Sequence, residues 1–262
     1  MQRERIDKKL IQLGFAPTRE KAQALIMAGS VFVDGRLVDK PGLLVKEGQR
    51  VEVKERAKYV SRGGYKLENA LKHFGIDVRG YTVLDVGSST GGFTDCLLQA
   101  GANKVYAVDV GKFQMDIKLR SDPRVVLHEE TDAREITQKH VQDKVDLITV
   151  DVSFISVVKV LPNIVKFLKE EGILLILVKP QFELTPDKVR KGIVRKDEYK
   201  EEAVLKVSQH IMNLGFNIYD IVKAKPKGTK GNEEFFILSG KNVAQIKNPK
   251  EIIKEAVKQN SF

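Results

Sequence analysis

Two lysines and two acids carry the first chemical suggestion in this chain. Lys66 lies in KYVSRGGYKLENAL, Asp151 in DLITVDVSF, Lys179 in ILLILVKPQFE and Glu234 in GNEEFFIL. The last three each abut an apolar run that reads as a strand. Lys66 flanks the stripe Leu67, Ala70, Leu71 and Phe74, which recurs at helical spacing. A hydroxyl is a poor nucleophile near neutral pH unless a base takes its proton as it attacks. A lysine serves as that base only with a lowered pKa, and partial burial and a second ammonium nearby both act in that direction. Carboxylates beside such amines would orient them and limit the positive charge. The plain alternative is two ordinary ion pairs at the rim of a sheet, and spacing alone leaves both readings open.

A second constellation sits in TVLDVGSSTGGFTDCLLQAG, residues 82–101. An apolar strand reaches Asp85, a loop of Gly87, Ser88, Ser89, Gly91 and Gly92 follows, and then a helix. Glycines there let the backbone pass close to a ligand. Asp109 ends the next strand, KVYAVDV, where a carboxylate can accept hydrogen bonds from a ribose diol. The loop lacks the G-x-G-x-x-G of nicotinamide sites and the G-K-[ST] of phosphate loops. It suits S-adenosylmethionine (SAM), which has no pyrophosphate and whose amino group and sulfonium favour nearby acids. Asp85, Asp109, Asp132 and Asp151 all fall at or just after the carboxyl ends of consecutive strands, the edge at which such sheets bind ligands. If these acids only cap helices, the site is lost.

The elements that must position these groups follow from periodicity. Strands fit at 82–86, 104–109, 125–128, 145–150 and 172–178, alternating with helices at 65–74, 91–100, 154–168 and 198–213. This alternation predicts an α/β domain with a doubly wound, mostly parallel sheet. Two late strands, 216–223 and 234–239, follow; an antiparallel last strand would bring Glu234 to the edge that carries Asp151 and Lys179. A short amphipathic helix with Ile252, Ile253, Ala256 and Val257 comes last. Ahead of this domain, helices at 3–14 and 18–28, a hairpin VFVDGRLV turned at Asp34-Gly35, and a strand at 50–53 make a small α+β module. The expected division is 1–54 for the module, 55–64 for a linker and 65–262 for the large domain.

Composition bounds the partners. The chain has 262 residues, 42% of them hydrophobic, and a net charge of +10. Residues 1–60 hold 13 Lys and Arg against 8 Asp and Glu, which suits a polyanion. Arg3, Arg5, Lys8, Arg19 and Lys21 lie on or near the first two helices, and Arg62 at the linker. The loops DKVRKGIVRKD and KAKPKGTKG carry Arg190, Lys191, Arg195 and Lys227. Taken singly, each is a solvated surface charge; as three patches round one crevice they suit RNA. MQRERIDKKL has no apolar signal core and the run at 172–178 is too short to span a bilayer, so a cytoplasmic protein without membrane contact is expected. His73, His128, His140 and His210 have no metal-ligand spacing, and Cys96 stands alone inside a helix, so no metal is expected. Phe93 and Phe154 are expected in the core.

The segments SRGGYKL, LDVGSSTGGFTD, VDVSFIS, LVKPQFE and GNEEFF resemble the signature segments of the TlyA, or hemolysin A-like, family. Residues 5–42 are similar to an S4 RNA-binding domain. The resemblance implies an S4-like domain fused to an FtsJ-type, Rossmann-like SAM-dependent methyltransferase, with a seven-stranded sheet whose last strand is antiparallel. It implies 2′-O-methylation of ribose, typically of cytidine, in ribosomal RNA, with rRNA or ribosomal subunits as partners. Its Lys-Asp-Lys-Glu tetrad falls on Lys66, Asp151, Lys179 and Glu234, with Lys179 as the base. Glu234 is preferred to Glu233 because the family's acid directly precedes an aromatic pair. Gly87, Ser88, Ser89, Gly91, Gly92, Asp109 and Asp132 would line the SAM site, and Asp85, at the end of the first strand of the large domain, is counted with them as cofactor-binding. Other classes compatible with parts of the pattern are a methyltransferase of another RNA, a non-catalytic SAM-binding RNA-binding or ribosome-assembly factor, and a pore-former, the last lacking any segment of membrane length.

Overall fold

The computed structural model describes residues 3–27, 30–38, 40–53, 58–245 and 248–258. The chain divides into two compact units, Met1–Lys58 and Tyr59–Phe262.

In the first unit the elements run β1 (Arg3–Arg5), α1 (Ile6–Gln12), α2 (Arg19–Met27), β2 (Val31–Val33), β3 (Arg36–Leu37), β4 (Leu44–Lys46) and β5 (Val51–Val53). β2 lies between β3 and β5, antiparallel to both. Asp34 and Gly35 turn the β2–β3 hairpin with φ of 49° and 77°, the left-handed pair that matches strand twist. Ile6, Leu10, Ala22, Ile26, Val31 and Val45 share one core. The first helix is shorter than its periodicity suggests. Arg3–Arg5 is instead a strand paired antiparallel with Leu44–Lys46, and Leu13 lies outside the core.

The second unit contains α3 (Arg62–Phe74), β6 (Thr82–Val86), α4 (Gly92–Gln99), β7 (Lys104–Val108), α5 (Ile117–Arg120), β8 (Val125–His128), β9 (Val145–Val150), α6 (Leu161–Ile164), β10 (Leu168–Val178), α7 (Pro180–Glu183), α8 (Asp197–Asn213), β11 (Asn217–Lys223), β12 (Phe235–Gly240) and α9 (Pro249–Lys258). Its seven-stranded sheet has the order β11-β12-β10-β9-β6-β7-β8, with only β12 antiparallel. Successive side chains of a strand face opposite sides, so each strand feeds two cores. Leu84, Val86, Ile148, Val150, Leu174 and Ile176 face one, covered by α6, α8 and α9. Val83, Val105, Ala107, Leu147, Leu175 and Leu177 face the other, covered by α3 and α4. Strand order reverses at β6, between β9 and β7, and a crevice opens outside the carboxyl ends there.

Two expectations change. Residues 55–57 of the anticipated linker lie outside the described residues, Lys58 falls in the first unit, and 59–64 belong to the second. Tyr59 is buried, and α3 opens at Arg62 with Gly63 and Gly64 in its first turn. At Gly64 a Cβ would stand 2.3 Å from Cγ of Tyr59, so the glycine permits the contact. The single helix expected over 154–168 is three short pieces, α6 flanked by 3-10 turns at 157–159 and 165–167. Pro162 has no N–H for a helical bond.

Candidate active site

The fold brings the two lysines and two acids together. Asp151 is the residue after β9, and its N–H bonds to the Val86 carbonyl of β6 at 2.8 Å. Lys179 directly follows β10, held extended before Pro180 opens α7. β12 pairs antiparallel with β10 so that Phe235 is opposite Val178, which sets Glu234 beside Lys179. Lys66 comes from the second turn of α3. Lys66 Nζ lies 2.6 Å from Glu234 Oε2, both side chains nearly enclosed. Lys179 Nζ lies 2.7 Å from Asp151 Oδ1 and donates to Ser153 Oγ at 2.8 Å. All four line one cavity of about 230 Å³ with Ser61, Arg62, Ser88 and Ser89. Burial raises the Asp151 carboxyl above its ordinary range, against the pull of Lys179 and then Lys66.

The neighbouring glutamates part company. Glu233 turns away to Lys200 at 2.8 Å, Lys227 at 3.1 Å and Lys223 at 3.4 Å. Burial opposes its ionisation, yet these ammonium groups together hold it at about 2. Gly228 leaves room for Glu234: a Cβ there would come 1.9 Å from Oε1.

A second cavity of about 540 Å³ shares Gly87, Ser89 and Asp151 with the first. Asp109 and Asp132 line it, with Val110, Gln114, Ala133, Phe154 and Ile155. Asp109 accepts from Ser89 N–H at 2.8 Å and Gly111 N–H at 2.7 Å, so it ties the glycine loop to the end of β7. Asp132 is paired with Arg134, which lowers its pKa. Ser88 Oγ, in the first cavity, is buried and has no hydrogen-bond partner among the described residues. An acid at the end of the second strand, apolar walls and a volume in the usual range for ligand sites fit the nucleoside part of SAM.

Not every predicted donor-site residue faces these cavities. Asp85 lies beneath the loop, because strand alternation turns it to the α4 side. It is fully buried, accepting from Thr94 Oγ1 at 2.7 Å and Thr149 Oγ1 at 2.9 Å. Burial raises its pKa to about 6. Gly91 caps α4 with φ +93°, and a Cβ would meet Leu119 Cδ1 at 2.3 Å, so packing requires that glycine. Gly87, at φ +84°, does border both cavities, but its close neighbour is backbone: a Cβ would stand 2.6 Å from Asp151 O. Phe93 is buried against Phe236, as expected. Phe154 is not in the core: it is 92% exposed, left-handed at φ 63°, and tilted against Phe182 at 5.1 Å. Composition gives no sign of this, since an aromatic after VDVS reads as buried. Ser153 and Ser61 were also missed, being small polar residues without a pattern.

The basic residues divide in the same way. Arg5 and Arg19 are committed to Asp7, which is fully buried, at 2.8 and 3.0 Å. Arg3 and Lys8 line a groove of about 410 Å³ with Lys9 and Lys46, and Lys21 is exposed. In the second unit Arg62 borders the smaller cavity, and Arg190, Lys191 and Arg195 are exposed. Lys227 is shared with Glu233. Asn232 fastens the two basic loops together, donating to Gly192 O at 2.8 Å and accepting from Val194 N–H at 3.2 Å. Among the described residues no helix is long and apolar enough to cross a membrane, and no group of three or more His, Cys, Asp or Glu is placed to hold a metal ion.

A mostly parallel seven-stranded sheet with an antiparallel β12, and a ligand-sized cavity at its carboxyl edge, defines a Rossmann-like methyltransferase. Residues 59–241 match the model of the FtsJ-like methyltransferase family and residues 4–51 that of the S4 domain. The chain is 43% identical to Hemolysin A of Brachyspira hyodysenteriae over 233 residues, 88% of this chain and 97% of the relative. It is 41% identical to the 16S/23S rRNA (cytidine-2′-O)-methyltransferase TlyA of Mycobacterium tuberculosis over 239 residues, 90% of this chain and 89% of the relative. A solved structure from Streptococcus thermophilus that carries the hemolysin name aligns with a TM-score of 0.74 at 38% identity, covering 98% of this chain and 95% of that one. The chain belongs to the FtsJ-like methyltransferase family, in its TlyA or hemolysin A-like branch, with an S4 domain ahead of the methyltransferase domain.

Proposed function

We propose that the protein transfers a methyl group from SAM to a ribose 2′-hydroxyl, of a cytidine, in ribosomal RNA, with Lys179 as general base. The observation that carries this reading is the meeting of Lys66, Asp151, Lys179 and Glu234 in one cavity that shares Gly87, Ser89 and Asp151 with the Asp109 cavity. SAM, when bound, supplies an electrophilic methyl group and a thioether leaving group. Asp109 and Asp132 would hold the nucleoside part of the donor. The ribose enters at Lys179, whose Nζ in its amine form accepts the 2′-hydroxyl proton. Burial raises the proton affinity of Asp151, the carboxylate that Lys179 Nζ meets at 2.7 Å. Glu234 holds Lys66 by the same floor, so the second cation stays in place without adding net charge.

The target ribose must be presented unpaired or flipped, since a base-paired strand cannot place its 2′-hydroxyl at the cavity floor. Phe154, held out at the cavity rim by a left-handed backbone, suits a stacking face for the exposed base. The S4 domain, with Arg3, Lys8 and Lys21 accessible, and the stapled loops with Arg190, Lys191 and Arg195, are assigned to phosphates. The relative from Mycobacterium tuberculosis is named for cytidine in both 16S and 23S RNA, which supports the choice of substrate.

The test is a map of ribose methylation in rRNA from cells with and without this protein. Specific 2′-O-methylcytidines are expected to vanish on deletion and to return when purified protein and SAM are added to ribosomal subunits. An unchanged rRNA map, or methyl transfer to transfer RNA alone, would overturn the substrate assignment.

A further inference from the structure

Glu129 follows β8 directly and belongs neither to the four-residue cluster nor to either cavity wall. Its carboxylate nevertheless gathers three successive backbone N–H groups. Phe113 donates to Oε2 at 2.9 Å, and Gln114 and Met115 donate to Oε1 at 3.0 and 3.4 Å. The Arg120 guanidinium joins them at 2.7 Å. Arg120 above all, with the amides assisting and burial opposing, holds this carboxyl at about 2. Convergence of three consecutive amides on one anion requires a tight concave turn. Phe113 accordingly sits in the left-handed region at φ 52°, a conformation that costs free energy in any residue with a Cβ.

The loop held in this way is a wall of the larger cavity. Gln114 lines it and folds over Gly111, where a Cβ would stand 2.1 Å from Nε2. Gln114 Oε1 accepts from Ser89 Oγ of the glycine loop at 3.1 Å. Asp116 N–H bonds to Thr90 O at 3.2 Å, a second tie to the same loop. Gly111 N–H is one of the two amides on Asp109. Glu129 is thus joined, through the strained turn at Phe113, to the two loops that meet at Asp109. Without its carboxylate, three amides lose their shared acceptor and Phe113 is free to leave the left-handed region, carrying Gln114 out of the wall.

We propose that Glu129 is a positioning residue of the methyl-donor site: it sets the 111–116 loop so that the Gln114 carboxamide faces the nucleoside part of the donor beside Asp109. With Oε1 occupied by Ser89, Gln114 presents Nε2, a donor suited to a ribose hydroxyl oxygen, while Asp109 supplies the acceptor. This rests on the reading of the larger cavity as the donor site.

Calorimetric titration of the full-length protein with SAM and with S-adenosylhomocysteine tests it. Wild-type protein is expected to bind both; if it binds neither, the donor-site reading itself falls. Given wild-type binding, Glu129→Gln is expected to weaken both ligands about tenfold, while affinity for an rRNA fragment stays within twofold. Gln114→Ala is expected to weaken the donor similarly, and the double variant no more than the stronger single change. Arg120→Met, which leaves the carboxylate and its amides in place, is expected to show a smaller loss and carries the test if Glu129→Gln fails to fold. Donor affinity within twofold of wild type in folded variants would overturn the proposal. So would a parallel loss of donor and RNA affinity, the mark of a merely structural residue.

Discussion

Asp7 in the first unit and Asp151 in the second are both sheltered acids that meet cations at under 3 Å, yet their pKa values shift in opposite directions. Asp7 receives the forked hydrogen bonds of Arg5, then those of Arg19 and Gln23, which outweigh its burial and push its pKa far below the carboxylate range. Asp151 meets a single ammonium on a flexible stem at the edge of a cavity, so burial dominates and its pKa rises. Guanidinium forks surrounding an acid lock it as a structural anion, whereas one lysine beside a desolvated acid leaves a proton that can move. Asp85 is a third case: it is sealed and accepts from two hydroxyls, with no ion pair among the described residues.

The contrast is open to direct attack. The largest effect is expected at its reactive side. Lys179→Met should lower methyl transfer by roughly 10²–10⁴-fold, the usual worth of a positioned base, with donor binding unchanged by calorimetry. Activity within tenfold of wild type would reduce this pair to the same structural class as Arg5 and Asp7.

Next in size is the pH dependence of Asp85. Its folded pKa of about 6 lies above an unfolded value near 4, so the native state keeps a proton that the unfolded chain has released. Stability should therefore fall as pH rises from about 4 to about 6, by up to about 3 kcal/mol from this group. Comparing urea midpoints of wild type and Asp85→Asn across that range isolates the slope; parallel profiles would show that Asp85 is not a desolvated acid.

The smallest effect is expected at Asp7. Asp7→Asn should cost the first unit roughly 1–2 kcal/mol, discounted because Arg5 and Arg19 are 40% and 48% exposed. The linkage has the opposite sign to that of Asp85. The depressed folded pKa means that this stabilisation is complete above about pH 4 and is lost progressively as pH falls from there through the folded value. Hydrogen exchange of α1 and α2 at pH 3 and pH 6 reads it directly; no difference between variant and wild type would remove Asp7 from the structural role.

Much of this was legible from residue order. The alternation of apolar runs located all seven strands of the large sheet, because the inner strands bury both faces and need a continuous apolar stretch. It failed at 154–168, where Pro162 breaks a pattern that otherwise reads as one helix, and at Arg3–Arg5, whose strand depends on a partner forty residues away. The glycine loop was correctly placed, but the reasons for its glycines were not. Gly87 and Gly91 answer to Asp151 O and Leu119, contacts invisible without the fold. Counting arginines as RNA contacts overlooked Asp7, since a local count cannot show that one buried acid claims two of them.

The sequence by itself determined which strands form, that an acid or amine ends several of them, and that the family motifs fall at those ends, because these are local properties of side-chain type and period. Only the tertiary structure decided which way each charge faces. The antiparallel pairing of β12 with β10 turned Glu234 to Lys66 and Glu233 to Lys200, and strand alternation sealed Asp85 beneath a helix while Asp151, one residue past its strand, stayed at the cavity. The energy of a charge depends on what surrounds it in space, and that is set by strands far apart along the chain.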